Sequence, residues 1–384
     1  MTRPLRVLVD GRVMCDAYHG IGRHIFALLH ELGPRDLEIT VVTPTTSGRL
    51  DLTSLLRYES VRFVGSDVPV VSLRSQWELA RLVARERPDI LFVPYHLSTP
   101  LLHGRTPVLS VVHDCIFERR AEQSGERSAF LFAYRASTRL ALRSSSVVAT
   151  VSEATRKDLR HFYGVELPSE AVLPHGVGKE FFRARRLPRP AELELPERYA
   201  LHVGVRRPHK NQQLLVRALQ HWSGAHPELG LVMVGAQDPR YPDTVGRLVE
   251  DRGLQSQVRR FEHVSEQQLL ALYGNASVFA YPSVAEGFGL PLLEAMAAGI
   301  PVVASDAEAV QEASEGAVMT LSPEGPDKWA DAITQVVYDA EVSDPLRRFG
   351  VAVAEKHSWA GSADRTLRLL SAAASRRKVE EPIG

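Results

Sequence analysis

Short apolar runs rich in β-branched residues alternate with segments of helical periodicity along the whole of this 384-residue chain. Leu5–Asp10 and Val108–Asp114 are typical of the runs, and the stretch 21–32, with apolar residues three and four apart, is typical of the segments between them. Apolar strands separated by helices predict a buried parallel sheet that helices cover on both faces. The alternation therefore predicts a doubly wound α/β fold.

The predicted strands form two groups of similar size. In the first half of the chain they are Leu5–Asp10, Glu38–Thr43, Val61–Gly65, Ile90–Pro94, Val108–Asp114, Val147–Ser152 and Ala171–Pro174, and in the second half Tyr199–Val203, Leu231–Val234, Val258–Val264, Val278–Tyr281, Val302–Ser305 and Val318–Leu321. Between the groups, residues 183–198 hold three prolines and many charges without an apolar period, as domain boundaries do. We expect Rossmann-like domains at 1–182 and 199–357 that face each other across a cleft. A helix at 358–376 should pack back toward the first domain.

The composition excludes several classes of protein. The 46 basic and 46 acidic residues give no net charge, so nothing draws the whole chain toward nucleic acid or an anionic membrane. Two cysteines are too few for a disulfide scaffold or an all-protein zinc site, and no apolar run approaches the length of a membrane span. The apolar stretch at the N-terminus is too short for a signal peptide, so we expect a cytoplasmic protein.

The strongest functional signal is the segment Glu286–Glu294, Glu-Gly-Phe-Gly-Leu-Pro-Leu-Leu-Glu. It follows a predicted strand, its glycines permit a tight loop, and Pro291 suits the first turn of a helix. A glycine-containing loop that opens a helix directs backbone N–H groups at a bound anion, typically a phosphate. The two glutamates would repel that phosphate and are better suited to accept hydrogen bonds from sugar and ribose hydroxyls. Two acids can also simply favour the start of a helix.

A second anion-binding pattern, Gly-Val-Arg-Arg-Pro-His-Lys-Asn at 204–211, follows the first predicted strand of the second half. Three cations and a histidine on one loop suit an anionic ligand, and lysine acts as a compact point charge. A solvated basic loop is the alternative. Lys210 is the principal candidate for contact with the anion, and Arg206 or Arg207 can supply a second charge.

The first half offers two weaker candidates. Gly20 and Gly22 lie at a junction between a loop and a helix, where glycines let a ligand approach the backbone, although a plain junction has the same pattern. His113 and Asp114 end a predicted strand, so they should face the ligand-binding edge of the sheet. His113 can hydrogen-bond a sugar hydroxyl, and Asp114 can orient it or contact an acceptor. A lone histidine at such a position is more often structural.

These motifs together resemble a known family. The pattern Ser283-x-x-Glu286-Gly-Phe-Gly-Leu-Pro-x-Leu-Glu294-Ala-Met-Ala-x-Gly299-x-Pro301 is similar to the nucleotide-sugar site of GT-B glycosyltransferases, in particular the retaining family 4, or group 1. The resemblance covers nearly the whole chain. It implies the GT-B fold, a nucleoside diphosphate sugar as co-substrate, no tightly bound cofactor and no required metal.

The resemblance also implies roles for single residues. In the family, the lysine that matches Lys210 and an upstream arginine neutralise the donor diphosphate. Val205 and His209 replace arginines that many members have, which makes Arg206 the weaker assignment. The catalytic candidates are Lys210, Arg206, His113 and Glu286, the donor-binding candidates are Gly20, Gly22, Gly287, Phe288, Gly289, Leu290, Glu294 and Val264, and Asp114 is a weak acceptor candidate.

The implied reaction is retaining transfer of a hexosyl group from a UDP-, GDP- or dTDP-linked sugar to a hydroxyl. The acceptor, a small molecule, a polysaccharide or a lipid-linked compound, stays open, as does the oligomeric state. A sugar-nucleotide epimerase of the same fold, a phosphorylase and a non-catalytic sugar-nucleotide-binding protein are the alternatives. No pyridoxal-type lysine context supports the phosphorylase.

A basic helix face is the remaining feature. Arg135, Arg139 and Arg143 recur four residues apart in a segment that also carries apolar residues. Such a face can contact a membrane surface or a lipid-linked acceptor. A solvated helix face is the more frequent explanation, so we do not expect a membrane partner.

Overall fold

The computed structural model describes residues 3–15, 19–45, 48 and 50–380, with the backbone alone at 19 and 376–380. Contacts divide the chain into two compact units, Met1–Gly176 with Trp359–Gly384, and Val177–Ser358. The first boundary thus lies at 176, where we expected 182. Residues 183–198, expected as a linker, belong to the second unit. The reason is local packing, because Phe181 and Ala184 are buried in a turn against the helix Glu266–Asn275.

The first unit is built on one parallel sheet. Its strands are β1 (Leu5–Asp10), β2 (Leu37–Thr43), β3 (Val61–Gly65), β4 (Ile90–Val93), β5 (Val108–Val112) and β6 (Val147–Thr150), in the order β3-β2-β1-β4-β5-β6. In the register, Leu5 of β1 lies opposite Leu37 of β2, and Val7 lies opposite Ile90 of β4. Every residue of β4 and β5 is buried, as expected for a parallel sheet covered on both faces.

The second unit repeats this topology. Its strands are β7 (Arg198–Val203), β8 (Leu229–Val234), β9 (Val258–Phe261), β10 (Val278–Tyr281), β11 (Val302–Ser305) and β12 (Met319–Leu321), in the order β12-β11-β10-β7-β8-β9. When the second sheet is read from β9 to β12, its order is β9-β8-β7-β10-β11-β12, which matches the order β3-β2-β1-β4-β5-β6 of the first sheet. The prediction of two doubly wound Rossmann-like domains is confirmed. The order reverses between β1 and β4 and between β7 and β10, and such sheets bind ligands beyond the carboxyl ends of those strands.

Helices connect and cover the strands. In the described part of the chain they are α1 (His19–Leu32), α2 (Leu73–Glu86), α3 (Ile116–Ser124), α4 (Ala129–Ser144), α5 (Glu153–Tyr163), α6 (Gln212–Trp222), α7 (Thr244–Asp251), α8 (Glu266–Asn275), α9 (Leu290–Ala297), α10 (Glu308–Ser314), α11 (Pro326–Tyr338), α12 (Ala340–Lys356) and α13 (Trp359–Glu380). The last of these, α13, packs on α1 and contacts β4 and β5, so it covers part of the first sheet.

Local sequence explains the start of α8, and two tryptophans contribute to the core of the second unit. Ser265 and Gln268 form a capping box that starts α8. The core of the second unit includes the buried side chains of Trp222 in α6 and Trp329 in α11, two helices that pack together. The indole N–H of Trp222 donates to the carbonyl of Leu229 at 2.8 Å, so burial leaves that donor paired.

Some predicted strands differ from the observed ones. Residues 171–174, predicted as a strand, make only an isolated bridge between Thr150 and Val172, because a 3₁₀ turn precedes the bridge. The strands β5 and β9 end at Val112 and Phe261, so the predicted extensions to 114 and 264 lie in loops. Among the described residues, no helix has the length and apolar character needed to cross a bilayer.

Candidate functional site

The loops that follow β7 and β10 are joined at the carboxyl edge of the second sheet. The backbone N–H of Val284 donates to the carbonyl of His209 at 2.8 Å, and the side-chain amide of Gln212 donates to the carbonyl of Gly204 at 3.0 Å. Lys210 ends a 3₁₀ turn between β7 and α6. Because β7 and β10 are neighbours at the reversal, the backbone brings Lys210 beside the residues that follow β10.

Lys210 and Glu286 form a largely buried ion pair at this reversal. The Nζ atom of Lys210 lies 2.6 Å from Oε1 of Glu286, and the two side chains are 14% and 8% exposed. Nζ also donates to the hydroxyl of Tyr281 at 3.4 Å and lies 5.5 Å from the centre of that ring. Lys210 and Glu286, which two separate sequence motifs predicted as site residues, are therefore in direct contact.

The members of this cluster shift one another's pKa values. Burial acts to raise the pKa of the Glu286 carboxyl, but Lys210 and His209 outweigh burial and hold this pKa below its usual value. Burial, reinforced by the Glu286 carboxylate, raises the pKa of Tyr281 well above its usual value. Burial lowers the pKa of His202, in β7, to about 4. At neutral pH the cluster therefore contains an ionised Glu286 beside a neutral phenol and a neutral imidazole.

The start of α9 depends on a glycine. Gly289 precedes the helix with φ at +104°, and Pro291 follows in the first turn. A Cβ atom at Gly289 would lie 3.7 Å from its nearest neighbours, in Leu292 and Tyr281, which is ordinary contact. Backbone conformation, and not crowding, is thus the reason for glycine here. This conformation ends the loop of residues 282–289 and starts α9, with the amides of its first turn toward the carboxyl edge of the sheet.

Glu294 lies one turn further along α9 and is buried, with 4% of its surface exposed. Its Oε2 atom accepts a hydrogen bond of 2.8 Å from the hydroxyl of Tyr273 in α8. The phenol fixes the orientation of the carboxylate. Glu286 and Glu294 therefore stand on either side of the loop–helix junction, the first paired with an ammonium and the second with a phenol.

The other donor-binding candidates of this unit share the same edge of the sheet. Gly287 and Phe288 lie in the loop between β10 and α9, and Leu290 is the first residue of α9. The buried ring of Phe288 meets His357 edge-on at 5.8 Å between ring centres. Val264 is half-buried in the loop after β9. Among the described residues, no group of three or more histidine, cysteine, aspartate and glutamate side chains is arranged to hold a metal ion.

Arg206 is buried and bonded to partners outside this cluster. Its guanidinium donates to the side chains of Gln237 and Glu262 and to the carbonyl of Gly235, each at 3.0 Å. These bonds attach the loop after β7 to the loops after β8 and β9. Arg207 is likewise paired, with Asp238 at 2.8 Å. The observed role of Arg206 is to hold the loop, and its contact with a diphosphate stays a prediction.

In the first unit, His113 follows β5 and is buried. Its Nε2 atom lies 2.8 Å from the carbonyl of Pro94, so Nε2 carries the proton of the neutral ring. Burial lowers the pKa of His113 to about 4, although the bond to Pro94 acts in the opposite direction. The neighbouring Asp114 accepts a bond of 3.2 Å from the backbone N–H of Ile116 at the start of α3.

Gly20 and Gly22 lie inside the first turn of α1, and not before it. A Cβ atom at Gly22 would lie 2.7 Å from the carbonyl oxygen of Val13, so close backbone packing explains this glycine. A Cβ atom at Gly20 would meet nothing within 4 Å, and the residue is exposed. Gly20 is thus the one of the pair whose surface is open to a ligand.

A group of rings around His113, in which the three histidines are buried and Trp359 is half-buried, was not predicted from the sequence. The ring centre of His24 lies 5.4 Å from that of His113, 4.3 Å from that of His175 and 5.4 Å from that of Trp359. Four separate segments supply these rings, so no local pattern indicates the group. His24 alone gives a signal, because it falls within the apolar period of α1. Tyr281 was missed as well, although it is the last residue of a strand at the reversal.

Two family profiles match the chain. The family described as "Glycosyltransferase Family 4" matches residues 18–181, and the family described as "Glycosyl transferases group 1" matches residues 185–352. The chain belongs to the group 1, family 4 glycosyltransferases. The second match includes Lys210, Glu286 and Glu294, and the first includes His113. The family resemblance drawn from the motifs is confirmed.

Curated relatives of this glycosyltransferase include a mannosyltransferase and a D-inositol 3-phosphate glycosyltransferase. The O-antigen chain mannosyltransferase RfbU of Salmonella typhimurium is 27% identical over 73% of this chain and 73% of its own length. A D-inositol 3-phosphate glycosyltransferase of Nocardia farcinica is 27% identical over 92% of this chain and 85% of its own length.

Solved structures support the fold. Sucrose-phosphate synthase from Thermosynechococcus elongatus has a TM-score of 0.75 at 19% identity and covers 98% of this chain and 100% of its own. Anabaena HepE, in complex with UDP and glucose, has a TM-score of 0.72 at 20% identity and covers 96% of this chain and 100% of its own. The glycosyltransferase therefore has the GT-B fold, as the resemblance implied.

Proposed function

We propose that this glycosyltransferase moves a hexosyl group from a nucleoside diphosphate sugar to an acceptor hydroxyl with retention of anomeric configuration. The observation that carries the proposal is the largely buried Lys210–Glu286 pair at the carboxyl edge of the second sheet, where doubly wound sheets bind nucleotides. The UDP and glucose named for Anabaena HepE support this class of donor. A uridine, guanosine or thymidine base is compatible with the proposal.

Lys210 stabilises the departing diphosphate in this proposal. When the bond from the anomeric carbon to the phosphate oxygen breaks, the electron pair leaves with the phosphate, whose negative charge grows. An ammonium already held by Glu286 and Tyr281 needs little reorganisation to meet that charge. Its three N–H groups let it contact a carboxylate and a phosphate at once.

The two glutamates then bind the uncharged hydroxyl groups of the donor, on its sugar and its ribose. Glu286 is ionised, because its pKa is lowered, and it accepts hydrogen bonds from hydroxyls of the sugar. Glu294, oriented by Tyr273, accepts hydrogen bonds from the ribose. The amides at the start of α9, with Gly287, Phe288, Gly289 and Leu290, accommodate the diphosphate.

The acceptor completes the reaction. Its hydroxyl attacks the anomeric carbon on the face that the phosphate leaves, the new glycosidic bond forms as the old one breaks, and the phosphate takes the hydroxyl proton. The configuration is therefore retained without a nucleophilic side chain. We propose that His113 contacts the donor sugar and that Asp114 is a weaker contact for the acceptor. Arg206 is a second cation for the diphosphate only if donor binding releases it from Glu262.

A panel of nucleoside diphosphates and their sugars tests the donor site by thermal shift. A true donor at 100 times its dissociation constant adds about 2.7 kcal/mol of stability. The stabilising donor is then used in an assay of nucleoside diphosphate release with saccharide, polyol and lipid-linked acceptors. Stabilisation by no member of the panel would contradict the proposal.

Lys210→Ala tests the assigned chemistry, and Lys328→Ala, at an exposed lysine of α11, is the matched control. Lys210→Ala should lower kcat by about 10²–10³ with a smaller change in the donor KM, because the lysine meets charge that develops in the transition state. The control should leave both constants unchanged. A raised KM with an intact kcat would make Lys210 a uniform binding group.

A further inference from the structure

A cavity of about 780 Å³ lies at the amino edge of the first sheet. Its lining includes Leu5, Asp89 and Thr106, which stand at the starts of β1, β4 and β5, three neighbouring strands. Doubly wound sheets bind their ligands at the opposite, carboxyl edge. These strands are four to six residues long, so roughly 13–20 Å of sheet separates the two edges. We call this the amino-edge cavity.

Two helices and a bonded turn form the walls of the amino-edge cavity. The backbone N–H of Thr106 donates to the carbonyl of His103 at 3.1 Å, and Nδ1 of His103 donates to the carbonyl of Thr106 at 2.8 Å, so the turn 103–106 is held at both ends. A cavity with such walls is preformed, and its volume is that of a small-molecule pocket. The helical lining residues are Ala80, Val83 and Ala84 of α2 and Ser371, Ala374 and Ser375 of α13.

Four arginines converge on the amino-edge cavity from three separate segments. Arg3 and Arg6 lie at the start of β1, Arg87 follows the last residue of α2, and Arg105 belongs to the turn 103–106. Asp89 is the only acid among the described residues that line the cavity, so three positive charges are in excess there. Because the whole chain has no net charge, this excess is a local concentration.

The one acid of the cavity is already bonded by the start of β1. Oδ1 of Asp89 accepts from the guanidinium of Arg3 at 2.7 Å, and Oδ2 accepts from the backbone N–H of Arg6 at 2.9 Å. The Nε atom of Arg6 is 3.8 Å from Oδ2, which is too far for a hydrogen bond. This Nε is buried, and no described residue accepts its proton. Asp89 therefore leaves most of the positive charge uncompensated.

Arg87 and Arg105 are exposed, and neither forms an ion pair or a side-chain hydrogen bond within the described part of the chain. Arg87 stands at the C-terminus of α2, where a cation interacts favourably with the helix dipole. Arg105 lies in a turn and has no helix end to stabilise. Cations of one sign around a concave surface focus a positive potential, which favours a bound anion.

We propose that the amino-edge cavity binds a soluble phosphate ester, at a site separate from that of the sugar donor. The planar fork of arginine matches two phosphate oxygens, and a phosphate ester that is nearly a dianion offsets the excess charge better than a carboxylate does. The proton of the Ser375 hydroxyl is donated to the carbonyl of Ser371 at 2.8 Å, so this hydroxyl can accept from a hydroxyl of the ligand. Val83, Ala84 and Leu102 offer apolar contact for its carbon skeleton.

Isothermal titration calorimetry of the full-length protein tests the proposal. The probes are inorganic phosphate, glycerol 3-phosphate, glucose 6-phosphate and fructose 1,6-bisphosphate, at about pH 8, where the phosphate groups are fully ionised, and with chloride holding the ionic strength constant. We expect saturable binding of at least one phosphate ester and none of glucose. Saturable binding of no probe, or equal binding of glucose 6-phosphate and glucose, would overturn the proposal.

Variants of the cavity locate the bound phosphate. Arg87→Gln/Arg105→Gln should lower the affinity roughly tenfold or more, because bonds to a charged group are lost. Ala84→Glu, which adds a carboxylate to the lining, should lower it as well. The matched control is Arg74→Gln/Arg127→Gln, which removes the same charge at two exposed arginines of the first unit outside the cavity, and it should bind like the native protein.

Lys210→Met separates the amino-edge cavity from the donor site. This variant should keep its affinity for the phosphate ester, because Lys210 belongs to the second unit. A loss in Lys210→Met without a loss in Arg87→Gln/Arg105→Gln would assign the phosphate to the donor site and overturn the proposal. Equal losses in the cavity variant and its control would reduce the effect to general electrostatics, with the same consequence. The changed arginines are exposed, so thermal unfolding midpoints should stay close to native.

Discussion

Replacing Lys210 with methionine keeps the length of the side chain and removes its charge, so it isolates what the ammonium does for Glu286. The two groups are 2.6 Å apart, with side chains 14% and 8% exposed. Removing one partner of a buried ion pair costs about 3–5 kcal/mol, because the other charge stays desolvated and unpaired. Since water still reaches part of this pair, we expect a loss of about 3 kcal/mol. Lys210→Met/Glu286→Gln should lose only about 1 kcal/mol, because exchanging both partners is often nearly neutral.

The pH dependence of the loss gives a sharper test. In the native protein the pKa of Glu286 is lowered, so its contribution to stability is present above the unfolded pKa and disappears as the pH falls through the folded pKa. In Lys210→Met, burial acts without the ammonium, so the pKa of Glu286 should rise above its unfolded value. Protonation of Glu286 on acidification then removes the unpaired buried charge from the variant. The stability difference between native protein and variant should therefore be largest at neutral pH and shrink on acidification.

Urea unfolding followed by circular dichroism, at neutral pH and near pH 4, measures this difference. The double variant Lys210→Met/Glu286→Gln is the control. It has no carboxylate to titrate at this position, so its small loss should change with pH only through the native Glu286, and by less than the loss of Lys210→Met changes. A loss below about 1 kcal/mol for Lys210→Met at neutral pH, or a loss that stays constant with pH, would refute the account of a desolvated Glu286 held by Lys210.

Three further predictions concern other residues of the two units. Glu294→Ala should weaken nucleoside diphosphate binding by roughly 1.5–3 kcal/mol in calorimetry, with a smaller loss for Tyr273→Phe, and unchanged affinity in Glu294→Ala would remove Glu294 from the site. Gly289→Ala should destabilise by about 1–2 kcal/mol in urea through its φ of +104° alone, and an unaffected midpoint would contradict this conformational role of Gly289. Because the pKa of neutral, buried His113 is about 4, its contribution to stability is complete above about pH 6.5 and falls by about 3 kcal/mol toward pH 4. His113→Gln should flatten that part of the pH–stability curve, and an unchanged slope would contradict the assignment.

The sequence alone was sufficient to predict the features that depend on residues close together in the chain. Buried parallel strands are continuously apolar, so the alternation of strands and helices could be predicted almost throughout. The prediction failed at 171–174, where a short apolar run follows a 3₁₀ turn too closely to join the sheet. It also misplaced the unit boundary, because the charged residues of 183–198 conceal the buried contacts of Phe181 and Ala184. Composition alone does not distinguish a linker from a surface turn that packs on a helix.

The candidate site divides in the same way. Lys210, Glu286 and Glu294 could be found from sequence, since each belongs to a loop–helix motif whose residue types and spacing suit a phosphate or a hydroxyl. Their pairing could not, because the contact between Lys210 and Glu286 depends on the adjacency of β7 and β10, which are far apart in the chain. Arg206 shows the converse, since its place in a basic loop predicts a ligand while its three observed bonds attach it to neighbouring loops.

Sequence alone thus determined which segments become strands and helices and which side chains have the chemistry for a nucleotide sugar, because propensity, capping and motif spacing act over a few residues. Only the tertiary structure decided which of those side chains meet, which cations are already paired and which apolar residues stay exposed. The ion pair at the reversal and the group of rings around His113 each join segments from different parts of the chain. Their existence follows from strand order and packing, and burial then sets the pKa values on which the chemistry depends.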